Sequence, residues 1–133
     1  MKAYLGIKYH SDHRNKPKIE KISALLERYN CSVICITRDI EKWGQNSFLP
    51  EELMEKTFEV IDSCDIVVID LSEKGVGLGI EAGYAYSKAK PLITIAENQE
   101  ISTTLLGISS NSYVYKNESD LSEFFKDVLS SKI

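Results

Sequence analysis

Two uninterrupted apolar runs, Ile66-Val67-Val68-Ile69 and Leu92-Ile93-Thr94-Ile95, constrain the fold of this chain more than any other feature. A strand with one wet face alternates apolar and polar residues. A run without alternation is expected of a strand covered on both faces, as in a parallel sheet packed between helices. Three further β-rich stretches, 3–7, 32–36 and 112–115, join 66–71 and 91–96 to make five candidate strands. Helical patterns fill the gaps. Ile19, Ile22, Leu25, Leu26 and Tyr29 recur at helical spacing after Pro17, a favoured first-turn residue. Leu49, Leu53, Thr57, Phe58 and Ile61 form a second stripe beginning near Pro50, and a third helix is expected over 79–88. Leu121, Phe124, Phe125, Val128 and Leu129 mark the last.

Strands alternating with helices imply βαβ units. The expected architecture is α/β, a three-layer, flavodoxin-like or Rossmann-like doubly wound sheet of five parallel strands in the order 2-1-3-4-5. A chain of 133 residues without internal repeat or linker reads as one domain over 1–133. In such sheets ligands bind beyond the carboxyl ends of the strands, where the winding reverses. That point lies between strands one and three, so segments 8–16 and 72–80 should meet there.

Composition narrows the partners. Lys plus Arg number 16 and Asp plus Glu 20, a net charge of −4, which argues against a nucleic-acid polymer bound over a broad surface. No apolar run approaches the ~20 residues that span a bilayer, and the N-terminal segment reads as a strand, so no membrane partner is expected. Cys31, Cys35 and Cys64 lie in apolar runs and read as reduced packing residues of a cytoplasmic protein. No metal or cofactor is expected. His10, Asp12 and His13 have spacings that suit neither a helix face nor a strand face.

The segment Gly75-Val76-Gly77-Leu78-Gly79-Ile80-Glu81 joins the third strand to the third helix. Gly75, Gly77 and Gly79 would let a ligand approach the backbone, with free N–H groups behind them. A carboxylate in the first turn of that helix is favoured in its ionised form by the macrodipole. Glu81 is thereby a candidate nucleophile, although the same placement also serves helix capping.

The longer string, Asp65-Ile66-Val67-Val68, then 75–86, then Lys90-Pro91-Leu92-Ile93, resembles the nucleoside 2-deoxyribosyltransferase superfamily, which includes 2′-deoxynucleoside 5′-phosphate N-hydrolases. The resemblance is close over 57–107 and loose elsewhere. It implies cleavage of an N-glycosidic bond by double displacement: Glu81 takes the sugar, the base departs, and water or another base resolves the glycosyl-enzyme. It implies that Tyr4 lies near the nucleophile, that the substrate is a nucleoside or nucleoside monophosphate, and that the chain forms a homodimer or larger homo-oligomer.

Two positions depart from the family pattern. The acid usually found eight residues before the Asp that opens strand three is Thr57 here. General acid–base help is typically worth ~10²–10⁴ in rate. No neighbour on that helix replaces it: Glu55 and Glu59 each lie about 160° around the axis from Thr57. The first loop, Lys8-Tyr9-His10-Ser11-Asp12-His13-Arg14, offers Asp12 or His10 as an acid, and Lys8 or Arg14 as a phosphate ligand. Of the family's phosphate-binding serines, one position falls on Gly75 and the other on Ser102, which also reads as an ordinary N-cap. The transferase branch carries an acid at the Gly75 position. The expectation is hydrolysis of a (deoxy)nucleoside 5′-monophosphate. Base exchange and a catalytically weak nucleotide sensor are the alternatives, and Thr57 favours the sensor. Trp43 and Phe48 are candidates for a lid or subunit contact.

Overall fold

The computed structural model describes residues 1–130. Along the chain run β1 (Lys2–Gly6), α1 (Lys16–Arg28), β2 (Ser32–Ile34), a π turn (Ile36–Ile40), α2 (Pro50–Asp62), β3 (Ile66–Asp70), α3 (Val76–Ser87), β4 (Leu92–Glu97), α4 (Thr103–Leu106), β5 (Asn111–Tyr115) and α5 (Glu118–Ser130). The sheet is fully parallel and ordered β2-β1-β3-β4-β5, as the alternating pattern predicts.

Both uninterrupted runs are buried on both sides. Leu5, Val68 and Ile93 face Ile22 and Leu26 of α1 and Phe125 of α5. Their neighbours Tyr4, Val67, Ile69 and Leu92 face Ile61 of α2 and Ala82 and Ala85 of α3. Successive side chains on a strand point to opposite faces, so one run of four apolar residues serves two cores. Pro17 opens α1 and Pro50 opens α2, where Glu52 Oε1 also accepts the Leu49 N–H at 2.9 Å. All three cysteines are free and buried. No helix among the described residues is long and apolar enough to cross a membrane.

Two local expectations are corrected. Strand two stops at Ile34, because Cys35 turns the chain into the π turn, where Asp39 Oδ2 accepts the Cys35 N–H at 2.8 Å. Helix α3 starts at Val76, not Gly79. The glycine segment is therefore helix rather than open loop, and only Gly75, the N-cap, stands outside it.

Candidate active site

Glu81 is the sixth residue of α3 and so belongs to its second turn. The macrodipole, whose influence fades within the first turn, does little there. Burial decides instead. Removal from water pushes the Glu81 carboxyl up to about 7, against the opposing pull of a hydrogen bond from Tyr4. The expectation of a dipole-stabilised carboxylate is thus replaced by a carboxyl that titrates near neutrality.

Tyr4 stands on the face of β1 turned toward α3, and its phenol donates to Glu81 Oε1. Burial, followed by the charge of Glu81, holds the Tyr4 hydroxyl well above its usual range, so it remains a donor. Gly6, two residues on and on the same face, makes this docking possible. A Cβ there would lie 2.6 Å from Ile69 Cδ1, 3.1 Å from Glu81 Oε1 and 3.4 Å from Tyr4 Cε2.

These groups floor a cavity of about 300 Å³. Tyr4, Leu5 and Gly6 come from β1, Ile7 and Tyr9 from the loop that follows, and Cys35, Ile36, Thr37 and Glu41 from the π-turn segment. Leu53, Met54 and Thr57 come from α2, and Gly77 and Glu81 from α3. Its size is at the lower end of the range for small-molecule sites. Thr57 faces the cavity, but its hydroxyl donates to the Leu53 carbonyl at 2.8 Å. Of the three glycines only Gly77 lines the wall, where a Cβ would sit 3.8 Å from Glu81 Oε2. A Cβ on Gly79 would meet nothing within 4 Å.

The first loop is divided between two faces. Lys8, His10 and Arg14 line a separate cavity of about 720 Å³ on the α1 side of the sheet, with Lys18, Asp70 and Glu97. His10 pairs with Glu73 there. Asp70 is buried and fully engaged, accepting from Tyr115 Oη at 2.9 Å and Ser72 N at 2.8 Å, with Lys18 Nζ at 3.7 Å. Asp12 lines neither cavity; it is exposed and pairs with Arg14 at 3.1 Å, which holds its carboxyl below the usual range. Ser102 caps the single-turn α4 by accepting the Thr104 N–H at 3.2 Å and also lies outside both cavities. Trp43 packs edge-on against His13 with ring centres 5.6 Å apart, and the Lys16 ammonium lies 4.8 Å from its ring centre.

Lys8 still reaches α3. A Cβ on Gly75 would lie 3.2 Å from Lys8 Cδ and 3.5 Å from its Nζ, so the ammonium rests against the helix N-cap. Two residues went unseen in the sequence. Gly6 has no periodic or motif signal. Glu41 follows a π turn that no apolar pattern announces.

No family model matches the chain. Among curated proteins it is 24% identical over 131 residues, 92% of this chain and 89% of the relative, to "Putative 2′-deoxynucleoside 5′-phosphate N-hydrolase 1" of Thermofilum pendens. Among solved structures it is similar to the Clostridium botulinum CMP N-glycosidase (TM-score 0.64, 20% identity, 96% of this chain and 98% of that one). It is also similar to a 2-deoxyribosyltransferase of Bacillus psychrosaccharolyticus (TM-score 0.74, 14% identity, 97% and 96%). In sequence the chain is thus similar along nearly its whole length to a relative named as an N-hydrolase, and in fold it is similar to an N-glycosidase and a 2-deoxyribosyltransferase.

Proposed function

We propose that this protein is an enzyme that hydrolyses the N-glycosidic bond of a (deoxy)nucleoside 5′-monophosphate, with Glu81 as nucleophile. The observation that carries the reading is the Glu81 carboxyl on the floor of the cavity between β1 and α3, held by Tyr4 against Gly6. The Tyr4 hydrogen bond occupies Oε1 and leaves Oε2 to attack the anomeric carbon. The C1′–N bond breaks, the base leaves, and water then releases the sugar phosphate from the ester on Glu81. The relatives named as an N-hydrolase and a CMP N-glycosidase support this substrate class.

Lys8 supports a 5′-phosphate. Its ammonium has no carboxylate partner among the described residues and lies beside the positive end of α3. Two positive features in contact favour an anion between them. Base exchange is the second reading, supported by the likeness to a 2-deoxyribosyltransferase.

Incubation with a panel of nucleoside and deoxynucleoside monophosphates tests the proposal. Equal amounts of free base and sugar phosphate are expected, with a rate that rises as pH passes about 7 and Glu81 ionises. A new nucleoside formed only with an acceptor base would mean transfer. Thermal-shift binding without turnover would mean a sensor.

A homodimer or larger assembly belongs to the same reading. Helix α3 turns the apolar side chains of Val76 (84% exposed) and Ile80 (45%) outward. Light scattering should return at least twice the chain mass. A monomer at assay concentration rejects the assembly.

A further inference from the structure

We infer that Glu41 is the acid–base carboxylate of the Glu81 site, giving a proton to the departing base and then taking one from the water that resolves the glycosyl-enzyme. The inference rests on the hydrolase reading above and identifies the proton donor that reading lacks.

A base expelled from C1′ carries away the bonding electron pair, so protonation of the base lowers the barrier to departure. Thr57 cannot supply that proton as a carboxylic acid does, and its hydroxyl is committed to Leu53. Among the described residues lining the cavity, only two carboxyl groups occur, those of Glu81 and Glu41. They come from different elements, α3 and the end of the π turn. Two carboxyls bordering one cleft are the pair of groups that glycoside cleavage uses.

The chain holds Glu41 firmly. Its N–H donates to Ile36 O at 2.9 Å, and its carbonyl accepts from Gly44 N at 3.0 Å and Asn46 N at 2.9 Å. The next three residues all have left-handed backbone: Lys42 at φ +48°, Trp43 at +57° and Gly44 at +90°. Such a conformation is costly for the first two and persists only where packing enforces it. Trp43 provides that packing, through His13 and Lys16. π-helical turns are rare and occur frequently at functional sites.

The Glu41 carboxyl makes no hydrogen bond or ion pair with the described residues, although it is only partly exposed. The groups around it are His13 and Tyr9 of the first loop, Thr37 and Cys35 of its own segment, and Tyr4 and Glu81 on the cavity floor. Burial raises its pKa, and the positive charge of His13 pulls the other way.

In the first step an electron pair from Glu81 forms the C1′–O bond, the C1′–N pair goes to the base, and the Glu41 proton goes to that nitrogen. In the second, water attacks C1′, its proton returns to Glu41, and the C1′–O pair returns to Glu81. The sum is nucleotide plus water giving base plus sugar phosphate.

The test compares Glu41→Gln with wild type on two substrates, by kcat/KM. One is a nucleoside monophosphate; the other is a 4-nitrophenyl (deoxy)ribofuranoside 5-phosphate, whose nitrophenolate leaves without a proton. A loss of about 10²–10⁴-fold is expected on the nucleotide. On the nitrophenyl substrate kcat/KM should stay within about tenfold of wild type, with a burst of nitrophenolate because the second step now lacks its base. Nitrophenolate release also shows that the variant is folded. Equal losses on both substrates, or no loss on the nucleotide, overturn the assignment. Wild-type protein that cleaves neither substrate overturns the hydrolase reading, and this assignment with it.

Discussion

Glu81→Gln is expected to reduce glycosidic cleavage by on the order of 10⁴-fold or more while making the folded protein more stable above neutral pH. The first effect follows from the proposed chemistry, because an amide cannot form the glycosyl ester. The second follows from burial. The carboxyl titrates near 4.5 when exposed and at about 7 in the folded chain. Between these values the folded state keeps a proton that the unfolded state has released, so wild-type stability falls as pH rises through that window. Glutamine keeps an acceptor for Tyr4 and never ionises. At about pH 8 the variant should exceed wild type by on the order of 2 kcal/mol, and near pH 4 the difference should vanish. Urea melts at the two pH values, run beside the turnover assay, give both numbers. Undiminished turnover would remove Glu81 as the nucleophile. A stability difference independent of pH would remove burial as the source of its shifted titration.

Gly6→Ala is expected to lower activity by about 10²-fold or more, because the added methyl enters the space of the reacting carboxyl. The nearest atom to that Cβ is Ile69 Cδ1 at 2.6 Å, a side-chain tip that can swing aside. Glu81 Oε1, at 3.1 Å, is different, since moving it breaks the Tyr4 hydrogen bond and shifts the carboxyl proposed as nucleophile from the floor of the cavity. Overpacking at such a site typically costs ~1–3 kcal/mol, which still leaves room for a folded protein. Gly79→Ala is the matched control. Its Cβ meets open space inside a helix, so a gain of about 0.5–1 kcal/mol with unchanged turnover is expected. Thermal melts and kcat/KM for the pair separate displacement of Glu81 from a general effect of removing glycine. Equal activity of both variants with wild type would show that the carboxyl does not depend on its seat against β1.

Much of the fold was legible because it rests on periodicity. The runs 66–69 and 92–95 are uninterrupted since each strand serves two cores, and helical stripes between strands leave a parallel sheet wound on both faces as the consistent arrangement. Glu81 stood out for another reason: it belongs to a string that resembles a family, the same resemblance implies an aromatic at Tyr4 beside it, and the fold joins the two by a hydrogen bond. The titration of Glu81 was misjudged. Its first-turn placement assumed a helix beginning at Gly79, whereas α3 begins at Val76. Glycines give no pattern that separates a helix turn from an open loop. The first loop was read as one polar cluster at the switch, yet the sheet edge divides it. Tyr9 lines the Glu81 cavity, Lys8, His10 and Arg14 line the far one, with Lys8 also against the α3 N-cap, and Asp12 stays in solvent beside Arg14.

The sequence by itself determined the strand order, and it singled out Glu81 as the candidate carboxylate and Thr57 as a position without an acid, all features carried by local spacing or by one short string. Tertiary structure alone decided that Gly6 seats Glu81, that burial rather than the helix dipole sets its titration, and that Glu41 borders the same cavity. Each of these depends on residues tens of positions apart meeting across β1, the π turn and α3, and no local period encodes such a meeting.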